Sequence, residues 1–149
     1  MSDAGRANLI VDDVFACLSD LFGATHDVRN AVSIPDLVAW RSVRKPAVGV
    51  HYAGVREWKE RGPATRRLIG NARIDVGFVA RSIEGKVGAL ADVTLWIEQL
   101  RDALHKNRPS PLGDGRLYHQ LEEVEFPIPW EASLYAWSVP YEMRLEAGT

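Results

Sequence analysis

The sequence predicts an α+β fold in which two long α-helices pack on one face of an antiparallel or mixed β-sheet. Two observations support this prediction. Between residues 133 and 145, large apolar side chains occupy every second position, which is the period of a strand with one buried face. Residues 7–22 and 86–106 instead repeat their apolar side chains every three or four positions, as amphipathic helices do. We expect the second helix to cover the apolar face of the strand.

Further strands and one short helix complete the predicted elements. Ser33 has the character of an N-cap, and Pro35 and Asp36 suit the first turn of a helix that runs to about residue 44. The predicted strands cover residues 28–34, 47–52, 71–82 and 117–126. Neighbouring strands along the chain, 47–52 with 71–82 and 117–126 with 133–145, are expected to pair antiparallel. Pro140 is tolerated in the last strand only at a sheet edge or a bulge.

Residues 54–70, between two of these strands, form a charged segment that is long for a hairpin loop. Two interpretations remain open for this segment. It is either a mobile arm that a neighbouring molecule orders, or a ribbon that extends from the sheet.

The composition is that of one soluble globular domain covering residues 1–149, with a net charge of −2. Cys17 is the single cysteine, which excludes an intramolecular disulfide and fits a reducing cytoplasm. We expect its side chain to be a small buried hydrophobe. The polar residues 1–8 do not resemble a signal peptide, and no apolar run is long enough to cross a membrane.

No catalytic, cofactor or metal motif is visible in the sequence, so we expect neither a cofactor nor enzymatic activity. The four histidines lack the spacing of metal ligands. The acidic residues of the strand 117–126 favour a solvated face or a subunit contact over acid–base catalysis; they are Glu122, Glu123 and Glu125. The basic residues of the 54–70 segment favour a solvated or protein-contacting loop over DNA affinity; they are Arg56, Lys59, Arg61, Arg66 and Arg67.

Five stretches, taken together and in order, resemble the small tail proteins of Mu-like bacteriophages and prophages, which are regarded as tail terminators. The stretches are the first helix, the strand PAVGVHYAG at 46–54, the strand DVGFVAR at 75–81, the helix end LRDALH at 100–105 and the strand at 135–145. The resemblance covers roughly residues 8–145. It implies a tail-terminator-like domain without catalytic residues.

The resemblance also implies a place in a virus particle. Tail terminators form a hexameric ring at the head-proximal end of the tail, so the expected partners are other copies, the tail tube protein and the head-completion or connector protein. DNA passes through such a ring without sequence recognition. The implied location is the virion, after assembly in the bacterial host cytoplasm.

Two other classes of function remain open. One is another neck, tail-completion or adaptor protein with the same kind of subunit. The other is a small enzyme whose site is assembled from residues distant in sequence, which would require a deep pocket with convergent polar groups. Within the ring hypothesis, opposite charge predicts that the basic segment contacts the stretch 122–125 of the next subunit.

Overall fold

The computed structural model describes residues 6–30, 33–40, 45–60, 68–113 and 115–147. Within these residues it contains three helices and a six-stranded mixed sheet, which confirms the predicted α+β class. The elements in chain order are α1 (Ala7–Phe22), β1 (Asp27–Asn30), α2 (Ile34–Trp40), β2 (Ala47–Glu60), β3 (Leu68–Arg81), α3 (Lys86–Leu104), β4 (His119–Gln120), β5 (Val124–Phe126) and β6 (Leu134–Ala147).

The centre of the sheet is the antiparallel pair of β3 and β6. These two 14-residue strands pair along their whole length without a shift of register. The strand order is β1-β2-β3-β6-β4, and β5 also pairs with β6. β1 is parallel to β2, whereas the other pairs are antiparallel. Both predicted antiparallel pairings are therefore confirmed.

Helices α1 and α3 cover one face of this sheet, as predicted. The strand side chains that they cover alternate along β2, β3 and β6, and Trp137, Tyr141 and Phe78 are among the largest of them. On α3 the buried stripe begins at Ala89, while Leu90 is 44% exposed and does not belong to it. Burial of this alternating face is the main source of stability, because it removes the most apolar surface from water.

The third helix, α2, packs on the opposite face near one end of the sheet. Its apolar residues contact Ala47, Val79 and Ala136, which lie on neighbouring strands. Gly77 allows the close approach, since a Cβ atom at this position would lie 3.1 Å from Cγ1 of Ile34. The sheet is therefore covered on one face and partly covered on the other.

The start of α2 confirms the predicted cap. The backbone N–H of Asp36 donates to Ser33 Oγ at 3.4 Å, and that of Leu37 donates to the Ser33 carbonyl at 3.1 Å. The strand predicted over residues 28–34 ends at Asn30. The predicted continuation of the helix through residues 41–44 lies outside the described residues.

The segment 54–70 continues the sheet as a ribbon in its described part. β2 runs on to Glu60 and β3 begins at Leu68, so the ribbon interpretation is confirmed for these ends of the segment. The register shifts by one residue between Tyr52 and Val55 and again between Arg56 and Lys59. Gly54, with φ of 92°, lies inside the first shift.

Pro140 lies at a bulge rather than at a sheet edge. The register of β6 with its outer neighbours shifts by one residue between β4 and β5. The Leu121 N–H donates to the Pro140 carbonyl at 2.8 Å, so the missing N–H of Pro140 points to the same irregular side. The ladder with β3 on the other side therefore loses no donor.

A cluster of polar side chains ties α1 to the segment after α3. The Asp13 carboxylate accepts hydrogen bonds from Arg108 Nε at 3.0 Å and from the Tyr118 hydroxyl at 2.7 Å. Tyr118 is fully buried, and this burial together with the carboxylate raises the pKa of its hydroxyl. Burial also raises the pKa of the nearby Cys17 thiol. Cys17 is 2% exposed, so its predicted burial is confirmed.

The Tyr118→Phe variant is expected to lower the free energy of unfolding by about 1.5–3 kcal/mol, because Asp13 loses a partly buried, charge-assisted hydrogen bond. Denaturant titration measures this change. Tyr52→Phe is the matched control, because Tyr52 is 39% exposed, and it should change stability by less than about 0.5 kcal/mol. Equal stability of the two variants would mean that the Asp13 contact contributes nothing.

Candidate assembly surface

Two of the five predicted basic residues are described, and both lie on the ribbon. Arg56 and Lys59 are exposed on β2. Ala72 of β3 is buried beneath α1 and α3, and the β3 residues that pair with Arg56 and Lys59 point to the other side of the strand. Both side chains therefore project from the face opposite these helices. The remaining three lie outside the described residues: Arg61, Arg66 and Arg67.

The predicted acidic residues are all exposed, but they do not share one strand. The strand predicted over residues 117–126 is wrong in its middle, because the bulge opposite Pro140 leaves Glu122 and Glu123 between β4 and β5. Glu125 lies on β5, with Oε2 2.6 Å from Lys86 Nζ at the start of α3. Both groups are about half exposed, so this ion pair contributes about 0–1 kcal/mol.

The basic and acidic residues lie at distant places of the same subunit. In the register of the sheet, Arg56 is level with Arg144 of β6, whereas Glu125 is level with Trp137 of the same strand. Arg56 and Glu125 are therefore separated by roughly 20 Å along the strand direction. Across the sheet, β2 and β5 are three strand spacings apart, or roughly 14 Å. One chain therefore does not bring the two groups together, and a contact between them requires a second copy.

The sheet is open at both ends among the strands that the structure describes. β1 forms one end, and β5 forms the open part of the other, because His105 holds the outer side of β4. β2 extends beyond β1, because β1 pairs only as far as Val50. Large apolar side chains are exposed at the β5 end: Val124 is 58% exposed, Phe126 36% and Trp130 57%. A cluster of exposed apolar side chains next to an open strand edge is typical of a protein-binding surface.

The polar face of the sheet holds a compact cluster of charges. Asp75 Oδ1 accepts a hydrogen bond from Arg73 Nε at 3.0 Å, and Asp75 Oδ2 lies 3.4 Å from His51 Nε2. His51 is therefore on the polar face of its strand. Over the residues that the structure describes, no group of three or more histidine, cysteine or acidic side chains is arranged to hold a metal ion.

His105 has a structural role at the end of α3. Its Nδ1 accepts a hydrogen bond from the backbone N–H of Gln120 at 2.8 Å, which holds β4 against the helix end. Burial and the neighbouring Lys106 lower the pKa of His105. A neutral imidazole that accepts a hydrogen bond is the form that this contact needs.

A cleft of 390 Å³ opens beside the outer edge of β6. The Arg116 guanidinium lines it and donates to the Arg144 carbonyl at 3.2 Å, so this side chain caps the strand edge. His119 and Glu142 lie opposite each other in the register and also line the cleft. Its described lining contains no serine, threonine, cysteine or lysine, the residues that most often serve as nucleophiles.

No protein-family model matches this chain, and no curated protein sequence matches it significantly. No helix in the described part of the chain is both long enough and apolar enough to cross a membrane. The functional proposal therefore depends on the geometry described above and on the resemblance to tail terminators.

Sequence reasoning did not identify two features of this surface. One is the β1 edge, whose position at the end of the sheet depends on the strand order. The other is the apolar cluster of Val124, Phe126 and Trp130, which looks like an ordinary buried pattern along the chain. Local periodicity contains no signal for either feature, because exposure of an apolar side chain depends on what the rest of the fold covers.

Proposed function

We propose that this chain is a structural subunit that assembles head to tail into a closed ring and acts as a tail terminator. The observation that carries the proposal is the separation of two unlike surfaces on one sheet. One end presents β1 and the basic ribbon residues Arg56 and Lys59. The other end presents β5, the apolar cluster and the acidic residues Glu122 and Glu123.

Unlike surfaces at opposite ends of a subunit favour a heterologous contact. Each copy then offers its acidic end to the basic end of the next copy, and the contact repeats until the ring closes. A two-fold dimer would instead place each surface against itself, which opposes like charges. Opposite charges steer the approach of the two ends, and the apolar side chains provide the buried centre of the contact.

A closed ring of this kind suits the end of a tail tube. Its hexameric form, its contacts with the tail tube protein and the head connector, and its location in the virion are part of the proposal, and the resemblance to tail terminators supports them. The slight net negative charge suits a ring through which DNA slides, because strong phosphate pairing would hold the DNA in place.

The place of the protein in a particle tests the tail-terminator role. Electron microscopy of tails that contain the protein should show six copies in a single layer between the tube and the connector. Copies repeated along the tube, or a layer elsewhere in the neck, would contradict this role and favour the adaptor alternative. Turnover of a small molecule by the purified protein would favour the enzyme alternative.

Charge reversal tests the contact between subunits. The double variant Arg56→Glu with Lys59→Glu should reduce ring assembly several-fold in sedimentation or native mass spectrometry, because it opposes acidic surfaces. Its melting temperature should stay nearly unchanged, since both side chains are exposed. Reversal of Arg66 and Arg67 is expected to act in the same direction. Combination with Glu122→Lys and Glu123→Lys should restore part of the assembly.

Two acids on the outer surface of α3 provide the matched control. Asp92 and Glu98 are exposed and lie outside the buried stripe of α3. Their reversal to lysine changes the net charge as much as reversal of Glu122 and Glu123 does, and it should leave assembly unchanged. Undiminished assembly of the Arg56 and Lys59 double variant would show that the ribbon is not part of the contact.

A further inference from the structure

We infer that the edge strand β1 of one copy pairs antiparallel with the edge strand β5 of the next copy, so that the sheets continue from subunit to subunit. This inference deepens the proposed function and rests on its head-to-tail assembly. It assigns the backbone groups that join the subunits. In this arrangement Arg56 and Lys59 lie several residues farther along the strands than the acidic stretch of the next copy, so they steer its approach rather than contact it directly.

The outer edge of β1 offers two residues for pairing. The Asp27 N–H donates to the Pro46 carbonyl at 2.9 Å, so the backbone of Asp27 faces β2. Backbone direction alternates along a strand, so Arg29 also faces β2, while Val28 and Asn30 face outwards. No described strand pairs with this outer side. Two outward N–H groups and two outward carbonyls are therefore available for an added strand.

The outer edge of β5 offers a matching residue. The Pro140 carbonyl accepts a hydrogen bond from the Leu121 N–H, so the backbone groups of Pro140 face β4 and β5. Backbone direction alternates along a strand, so the other even-numbered residues of β6 face the same way. Val124 and Phe126 pair with two of these residues, Ser138 and Ala136. The backbone of Glu125 consequently faces outwards. Pro127 follows and has no N–H to donate, which limits an added strand to this short stretch.

The two edges match in direction and in level. β5 is antiparallel to β6, and the intervening pairings make it antiparallel to β1 as well. Along the rows of the sheet, Glu125 is level with Trp137, Phe78, Val48 and finally Val28. A second copy that continues the sheet at the same level therefore places outward Glu125 beside outward Val28, as a hydrogen-bonded antiparallel pair.

The paired residues do not oppose like charges in this arrangement. Arg29 falls opposite Val124 of the second copy, and Asp27 falls opposite its Phe126. On the α1 side, an open groove of 540 Å³ lined by Phe15 and Val28 leaves room beside β1 for an added strand.

A cross-linking experiment tests this register. Arg29 and Val124 form a non-hydrogen-bonded antiparallel pair in the inferred contact, with Cα atoms about 4.5 Å apart, which suits a disulfide. The double variant Arg29→Cys with Val124→Cys should, on mild oxidation of the assembled protein, give a ladder of covalent multimers in non-reducing electrophoresis. Equal mixing of the two single variants should give covalent dimers only. The native Cys17 thiol is buried and does not compete.

A neighbouring position on the same strand provides the control. Asp27 lies two residues from Arg29 on the same face of β1, so its Cα is roughly 7–8 Å from that of Val124 in the inferred contact. Asp27→Cys with Val124→Cys should therefore cross-link much less. Rings that form without a preferred 29–124 cross-link would overturn the inferred register and leave the proposed ring in place. A protein that stays monomeric even with tail tubes present would overturn both.

Discussion

Replacement of Trp137 by alanine is expected to lower the free energy of unfolding by about 3–5 kcal/mol. Trp137 is 4% exposed in the central strand β6 and lies directly opposite Phe78 of β3, beneath helices α1 and α3. Its removal leaves a cavity that the 14-residue pairing of β3 and β6 does not allow the sheet to close. Thermal or denaturant unfolding followed by circular dichroism measures the loss.

Trp130 provides the matched control for this variant. It is 57% exposed in the turn between β5 and β6, so Trp130→Ala should change the stability of the subunit by less than about 0.5 kcal/mol. A Trp137→Ala variant with wild-type stability would remove Trp137 from the core and contradict the packing of α3 on β6.

Acidification is expected to destabilise the protein through His26. This side chain is 5% exposed and lies between the rings of Phe22 and Trp96, at centroid distances of 4.8 and 4.4 Å. Its Nδ1 is 2.8 Å from Thr25 Oγ1, while its Nε2 has no hydrogen-bond partner among the described residues. Burial lowers the pKa of His26 from 6.5 to about 4, and the adjacent Asp27 opposes this shift only in part.

The direction of the effect follows from the two pKa values. Between pH 6.5 and about 4 the unfolded chain binds a proton at His26 and the folded chain does not. The stabilising contribution is therefore complete above pH 6.5 and is lost as the pH falls to about 4. The loss attributable to His26 is about 3 kcal/mol, because one pKa unit corresponds to about 1.4 kcal/mol.

A variant without an ionisable ring isolates this contribution from those of the carboxylates. His26→Phe keeps an aromatic ring between Phe22 and Trp96 and removes the titration. Urea titration at several pH values measures the unfolding free energy of the wild type and of the variant. Below pH 6.5 the wild type should lose stability relative to the variant. A difference that does not depend on pH would show that His26 does not cause the acid sensitivity.

The elements that the sequence predicted best are those that obey one period along their whole length. The helix at residues 7–22 has the bounds that its apolar stripe predicts, and β6 follows the alternation from Tyr135 to Leu145. Where a bulge interrupts the period, the sequence predicted a strand that is too short or merged two strands into one. Two bulges break the alternation of β2, so its extension to Glu60 was not predicted. A third bulge divides the predicted strand 117–126 into β4 and β5.

The relations between elements were less accessible from the sequence. Asp13 meets Arg108 and Tyr118 across separations of 95 and 105 residues, for which no local pattern exists. The placement of α2 on the second face depends on Gly77, which leaves room for Ile34. The sequence alone does not show which residue packs against this glycine. For the proposed contact, the sequence supplied the charges of the exposed residues, whereas the open edges of β1 and β5 required the strand order.

The position of β6 also bears on how the chain is synthesised. β6 is the last described strand to leave the ribosome, yet it lies at the centre of the sheet, with β3 on one side and β4 and β5 on the other. Until it emerges, β3 presents an unpaired edge and α3 lacks part of its cover. A nascent chain with such an edge is prone to pair with other chains. The central pairing of the sheet therefore forms only after Leu134–Ala147 has been added.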